Sequence, residues 1–498
     1  MKGYVGERLL RSILSIIAIM VVVFIMVFSL VPRDNIFKND DTFRKLGSKP
    51  DDKRDYVMRT WQNLGYLDYY NLNIYCSEKY ETGSNQQKAC ILSDSKESDE
   101  FIKEYESKGF NVERFQVSKQ PYAYKDRAII SRLTTWFFNI IKIDHPWLIQ
   151  DETNPDLERY VSLGTTPSGG LAIKCSGCDH KYLVYTDTNF PFLHQNIISL
   201  NFGESYPTYR GISILNVIFD SQGQEVKRPV TYETGTTGES GIIFGTLRYK
   251  STLDRLDTNK FVDHYATYQI KKSTPSMVGI SFLMGIFSLI LSYSLGLPIG
   301  LSMARNKDKI IDKLGMLYII FIIAVPSLAY IYIFRFLGTK LFSLPSVFPT
   351  YGASDIRSWI LPIISLSLPS ISSLMLWMRR YAVDQMSSDY VKFAKSKGLN
   401  QSEIFRKHIL KNAIIPIAHG LPASLAGCIT GAIITEAIYS VGGMGKMLPD
   451  AINQYNNSMV LALTFMFAGI SIVSVLLGDI ILIWIDPRIS LAEKEGRS

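Results

Sequence analysis

The sequence predicts a multi-pass α-helical membrane protein in which six helices cross the bilayer and a mixed α/β domain is inserted after the first. Three observations carry this reading. An uncharged apolar run lies near the start, and five more cluster after Pro275. Between them lies a polar stretch of about 240 residues, a domain's length rather than a loop's.

The first run, "LLRSILSIIAIMVVVFIMVFSLV", continues for about 20 residues without charge beyond Arg11, enough to cross a ~30 Å hydrocarbon core. Lys2, Arg8 and Arg11 precede it, as they would in a signal peptide. The run is longer than the roughly 7–15 apolar residues of a cleaved signal, and "FSLVPRDN" is a poor cleavage site. Residues 1–33 therefore read as a cytoplasmic start and an uncleaved anchor. Later spans are expected at Met277–Met303, Leu314–Phe334, Trp359–Met378, Ala413–Ile434 and Met459–Ile485. Gly296, Pro298, Pro326 and Pro369 fall inside them, as membrane helices tolerate.

Lysine and arginine in the short loops set the orientation. With the N-terminus inside, the inside segments hold Lys2, Arg8 and Arg11, then Arg305, Lys307, Lys309 and Lys313. They also hold eight cations from Arg379 to Lys411, and Arg488, Lys494 and Arg497 in the tail, residues 491–498 with the end of the core. The short outside loops hold only Arg335, Lys340, Arg357 and Lys446. This bias places both termini in the cytoplasm and residues 34–275 outside the cell membrane. It also accounts for the net charge of +8 without any nucleic-acid partner.

Residues 34–275 carry the cues of a folded domain. "SDEFIKEYESKGF" (Ser98 to Phe110) has acids early, lysines late and a terminal glycine, the order of a short helix. "HKYLVYTD", "ISILNVIF", "VKRPVTYE" and "GIIFGTLRY" are β-branched or aromatic runs bounded by turn residues, as strands are. "RLTTWFFNIIKIDHPWLI" (Arg132 to Ile149) is too interrupted to span. It fits either a helix lying at the outer interface or a buried core helix. Cys76, Cys90, Cys175 and Cys178 all fall here, and only Cys428 lies in a span. An even number outside the cell suggests two disulfides, with the local pairing Cys76–Cys90 and Cys175–Cys178 expected among the three that four cysteines permit. Inert thiols remain open. "CSGCDH" also admits metal or redox chemistry, but no second ligand pair stands at zinc-site spacing.

No catalytic constellation emerges, and no metal site is expected. Neither H-E-x-x-H nor G-x-S-x-G occurs among 498 residues. "GGMGKML" (Gly442 to Leu448) looks superficially like a phosphate loop, yet Ser440 stands where the first glycine belongs and Met447 where a hydroxyl belongs. The chain is not expected to be an enzyme or to hold a cofactor.

The most patterned polar segment, residues 386–411, lies between two spans. A first helix over Ser388–Lys397 puts Tyr390, Phe393, Ala394 and Lys397 on one face. Gly398 suits the left-handed position that ends it, with Lys395 and Lys397 at its negative end. Asn400 caps a second helix, with Glu403 as the reciprocal partner of a capping box. Ile404, Phe405 and Ile409 share one side of that helix, with Arg406 and Lys407 off it. Two readings fit: a rigid hairpin presented to a partner, or an amphipathic hairpin resting on anionic lipid. Two carboxylates near spans also stand out. Asp479, in "VLLGDIILIW", serves either helix packing or transport. Glu436 contacts either a peptide amine or a local turn.

"DYVKFAKSKGLNQSEIFRKHILKNAIIPI" resembles the EAA-type cytoplasmic loop of type I ABC importer permeases. "GAIITEAIYSVGGMGKMLPDAI" and the terminal "DPRI" resemble the oligopeptide and dipeptide branch of that family. The likeness covers about Ser276 to Ser490 well and the anchor weakly. Ala394 and Gly398 stand at the motif's second alanine and its glycine. Lys392 replaces the glutamate, Phe393 the first alanine and Lys411 the later proline. The long insertion resembles the enlarged first permease of streptococcal Ami/Opp-type systems, and "LNFGESYPTYRG" (Leu200 to Gly211) resembles the family's F-G-x-S element. The resemblance implies a type I permease fold with a core over residues 276–490. It implies a non-catalytic subunit that forms an oligopeptide path with a second permease. Two cytoplasmic ATPases would carry ATP and Mg, and an extracellular lipoprotein would deliver peptide. It further implies that Phe393, Ala394, Lys397, Gly398, Leu399, Glu403 and Phe405 couple to the ATPase. A membrane sensor with an extracellular ligand-binding domain is the alternative. The longest inside segment, 379–411, is too short for a signalling enzyme.

Overall fold

A computed structural model describes residues 2–81, 83–142, 150, 156–165, 170–178, 182–185, 199–231, 237–245 and 268–485. The tail 491–498, the "DPRI" stretch and His180 lie outside these.

Helix α1 (Lys2–Leu30) is followed by a layered α/β unit. Its elements are α2 (Pro50–Asn63), β1 (Leu67–Asn71), α3 (Leu72–Lys79), α4 (Asn85–Cys90), α5 (Lys96–Ser107), β2 (Asn111–Arg114) and β3 (Pro121–Asp126). The sheet is antiparallel in the order β1-β3-β2, with Leu67 opposite Asp126 and Asn71 opposite Tyr122. Alternation along β1 sends Leu67 and Tyr69 to a core with Val57, Met58 and Trp61 of α2. Tyr70 goes to the other face, against Phe101 and Tyr105 of α5. Helices therefore cover both faces of the sheet.

Helix α6 (Ile129–Ile140) then returns along α1, seating Leu133, Trp136 and Phe137 against Met20 and Phe24. Beyond it, β4 (Tyr160–Thr165), β5 (Leu171–Ser176) and β6 (Tyr182–Tyr185) form a second antiparallel sheet. "ISILNVIF", expected as a strand, is instead α7 (Ile214–Phe219). Its buried residues, Ile214, Val217 and Ile218, follow helical i, i+3, i+4 spacing and fill a core with Met277 and Met459. Strands Arg228–Thr231 and Thr237–Ser240 pair, as do Ile242–Gly245 with Tyr268–Ile270 and Gln222–Glu225 with Lys272–Thr274.

The C-terminal part is helical: α8 (Met277–Arg305), α9 (Ile310–Ala324), α10 (Ser327–Phe342), α11 (Arg357–Met386), α12 (Asp389–Ser396) and α13 (Gln401–His419). Then come α14 (Leu421–Gly431), α15 (Ile433–Tyr439), α16 (Met444–Asn453) and α17 (Asn457–Ile485). Helices α8 and α11 pack along their lengths. A Cβ on Gly296 would lie 2.8 Å from Leu374 Cβ, and one on Gly300 2.7 Å from the Met375 carbonyl oxygen, so small residues set this close approach.

Among the described residues four helices, α1, α8, α11 and α17, are long and apolar enough to cross a membrane, and two bent pairs raise the candidates to six. The expected span Leu314–Phe334 is not one helix: α9 and α10 meet at 114°. Pro326 has no N–H to continue the ladder and holds Val325 extended, at φ −89° and ψ 130°. The expected span Ala413–Ile434 likewise lies across a 43° bend between α13 and α14, where Gly420 and Pro422 fall.

Candidate functional site

The segment after α11 is built from local rules upward. Asp389 opens α12 and Lys395 closes it, each favourable to the helix dipole. At its end the Gly398 N–H donates to the Lys395 carbonyl at 3.0 Å and the Leu399 N–H to the Ala394 carbonyl at 3.3 Å. This two-bond cap needs a left-handed residue, and Gly398 has φ +79°. Asn400 Oδ1 then accepts the Glu403 N–H at 2.8 Å, opening α13. The expected return bond from Glu403 is replaced: its carboxylate stands 3.6 Å from the Lys407 ammonium, so the cap is held from the Asn400 side. The second helix is also not a separate short one. It runs from Gln401 to His419, and Ile404–Ile409 winds as a π-helix, a form common at functional sites.

The π turn brings Ile404, Phe405 and Ile409 into one core with Val391, Ala394, Ala304, Met378 and Ala382. The hairpin is thereby fastened to the ends of α8 and α11. Of the residues singled out in the sequence, Ala394 and Phe405 lie inside this core, 4% and 5% exposed. Phe393 does not share their face; it is 61% exposed, with Lys397 Nζ 4.5 Å above its ring. Lys397 and Gly398 are exposed, and Leu399 and Glu403 are half-buried between the two sets. Lys392, Lys395, Arg406 and Lys407 complete a basic outward face.

Two clamps beneath the hairpin were not anticipated. Arg379 meets the buried Asp312 at 2.5 and 2.7 Å, tying α11 to the start of α9. Arg305 Nη2 donates to Ser402 Oγ at 3.1 Å, tying α8 to α13. The signal available for the first was an acid, Asp312, and a cation, Arg379, at neighbouring span boundaries, each among other charges.

Asp479 pairs with Arg8 of α1 and lies 3.4 Å from His419 Nε2 at the end of α13. Glu436 is fully buried, accepting from Ser281 Oγ at 2.7 Å and the Lys446 N–H at 2.8 Å. The "GGMGKML" stretch therefore wraps a carboxylate of its own chain. Far from these, Cys76 is bonded to Cys90 and Cys175 to Cys178. Among the described residues no three His, Cys, Asp or Glu side chains converge to hold a metal.

A bundle of apolar helices carrying a clamped, basic helix pair at one end is the architecture of a multi-pass helical membrane protein. Residues 296–491 match the binding-protein-dependent transport system inner membrane component family. The chain is 38% identical over 503 residues, all of both chains, to the oligopeptide transport system permease protein AmiC of Streptococcus pneumoniae serotype 4. It is 32% identical over 213 residues to the dipeptide transport system permease protein DppB of Lactococcus lactis subsp. cremoris, covering 43% of this chain and 69% of that one. Against DppB of Bacillus subtilis it is 28% identical over 216 residues, with the same shares covered. The chain belongs to the family of binding-protein-dependent transport system inner membrane components, and its long segment before α8 belongs with the AmiC-like members that match it end to end.

Proposed function

We propose that this chain is the permease subunit of an ATP-binding-cassette importer for oligopeptides. The end-to-end match to an oligopeptide permease, long segment included, carries this reading. In it, six spans pair with those of a second permease to form the path. Two cytoplasmic ATPases supply ATP and Mg, and an extracellular lipoprotein brings the peptide. Both termini are cytoplasmic and residues 34–275 are extracellular, over the outer mouth.

The helix pair at 386–411 is the coupling element. Phe393, Lys397 and the cap at Gly398 form the face an ATPase meets, while Ala394 and Phe405 transmit its movement into α8 and α11. Clamping supports this role, because a lever must move spans rather than bend. Co-purification from native membranes tests the reading: ATPase subunits should accompany wild-type protein and be depleted by Phe393→Ala with Lys397→Glu. Their absence from wild-type preparations would refute it. For orientation, a membrane-impermeant maleimide on intact cells should label a cysteine at Ser95 and spare one at Ser402.

A further inference from the structure

Helix α6 has three faces. Leu133, Trp136, Phe137 and Ile140 form the packed face. Arg132, Thr135 and Asn139 line a cavity of about 900 Å³ bounded by α1, the end of α2, the 201–213 loop and the start of α17. Ile130 and Phe138 are bare, 72% and 84% exposed, and Ile141, just past the helix end, is 55% exposed. These bare residues flank α1, whose own Val22, Ile25 and Leu30 are exposed in the same half of that helix.

The cavity is short of negative charge. The Arg132 guanidinium lies against the rings of both Phe28 and Tyr66, at 4.2 and 4.1 Å and beside the Tyr66 hydroxyl, and its buried Nη2 has no well-aligned acceptor. Among the described residues no carboxylate pairs with it, nor with Arg210, which also lines the cavity and donates to Thr42. Arg127 is satisfied by Asp68, and the exposed Glu204 is the cavity's own acid. Burying a guanidinium without an anion is costly, and an anionic ligand relieves that cost.

We propose that this cavity holds the headgroup of an anionic phospholipid, with Arg132 as the cation for its phosphate and the exposed Ile130, Phe138 and Ile141 as the seat of its acyl chains. The cavity lies where α1 ends and α17 begins, the level of a membrane surface, and an apolar helix face beside a basic pocket is the pairing such a lipid fits. The lipid would seat the α/β unit on the bilayer. This inference does not depend on what the permease carries.

Full-length protein in nanodiscs of phosphatidylcholine with graded phosphatidylglycerol provides the test. Wild type should retain phosphatidylglycerol preferentially and melt higher as its fraction rises. Arg132→Gln should weaken retention about tenfold, the loss of one charge-assisted contact. Phe138→Ser, a change at an exposed position, should lower retention while leaving the melt in detergent unchanged, and it serves if Arg132→Gln does not fold. No preference for phosphatidylglycerol in wild type, or retention unchanged in both variants, overturns the proposal. Equal stabilisation by inorganic phosphate in pure phosphatidylcholine would assign the site to a free anion and overturn its lipid part.

Discussion

Ser281, one turn into α8, donates from its hydroxyl to the Glu436 carboxylate at 2.7 Å and accepts the Met444 N–H at the same distance. Glu436 also takes the Lys446 N–H, so one buried carboxylate and one hydroxyl fasten the 440–446 turn to the head of a span. Gln222 reaches the same turn from the long segment, 3.4 Å from the Gly442 carbonyl. The turn thus joins the segment to the permease helices.

Glu436→Ala should therefore strip acceptors from two donors and destabilise the protein by about 2–5 kcal/mol, at roughly 1–3 kcal/mol per stranded donor. Ser281→Ala should cost less, on the order of 2 kcal/mol. A Cβ on Gly443 would overlap Glu436 Oε1, so Gly443→Ala should also destabilise. Thermal unfolding of the purified protein checks the order; a Glu436→Ala variant that melts like wild type contradicts it.

Asp479 joins α17 to Arg8 of α1 and to His419 of α13. A double-mutant cycle of Arg8→Gln with Asp479→Asn should show a coupling energy on the order of 1 kcal/mol. Additive losses would mean that the two charges act separately.

What the sequence revealed and what it concealed divide along physical lines. Gly398 and Asn400 were legible because helix termination and capping are local, set by residues a few positions apart. The direction of Phe393 was not, because which side of α12 is buried depends on where α8 and α11 present Ala304 and Met378. "ISILNVIF" misled for a related reason: a short β-branched run has no decisive period, and contact with Met277 and Met459 made it a helix. The break at Pro326 was visible as a residue but not as a 114° turn. Asp479 and Glu436 drew attention as carboxylates near lipid, while their partners, distant in sequence, came only with the fold.

Asp40 links the chain after α1 to the 199–213 stretch. Burial raises its carboxyl, but bonds from Tyr206, Tyr56 and the backbone N–H groups of Thr42 and Phe43 outweigh this and hold it below its ordinary value. A depressed folded value means stabilisation is complete above the unfolded pKa, about 3.9, and fades as pH falls through the lower folded value. Protection from hydrogen exchange in residues 33–48, taken relative to the intrinsic rate at each pH, should fall below about pH 4 in wild type. Asp40→Asn should exchange faster at neutral pH and lose that acid step; a retained step would exclude Asp40 as its source.

The Cys76–Cys90 bridge closes a loop of 14 residues inside the core of Leu72, Phe101 and Tyr105. Chain entropy alone assigns such a loop about 3 kcal/mol. Cys76→Ser with Cys90→Ser should lower the melting of the α/β unit accordingly, read by tyrosine fluorescence. Peptide uptake at low temperature should persist, since α12 and α13 lie elsewhere. Identical melting of wild type and variant would show that the bridge adds no stability.

Gly398 gives the sharpest test of the coupling segment, because steric and conformational effects separate there. A Cβ built on it meets nothing within 4 Å, so no neighbour forbids a side chain. Only φ +79° does, a conformation that costs an L-residue roughly 1–2 kcal/mol. Gly398→Ala should therefore weaken the cap mildly. Gly398→Val, with a β-branched residue in the same conformation, should release the Leu399–Ala394 bond and re-aim α13 relative to α12. The core of Val391, Ala394 and Ile404 would then lose its registry, so movement of the exposed Phe393 face would no longer reach α8. Peptide uptake should fall slightly in the alanine variant and collapse in the valine variant, at equal amounts of membrane-inserted protein. ATPase activity in reconstituted complexes should lose its stimulation by peptide in step with uptake. Uptake and stimulation at wild-type level in Gly398→Val would show that this cap does not carry the coupling.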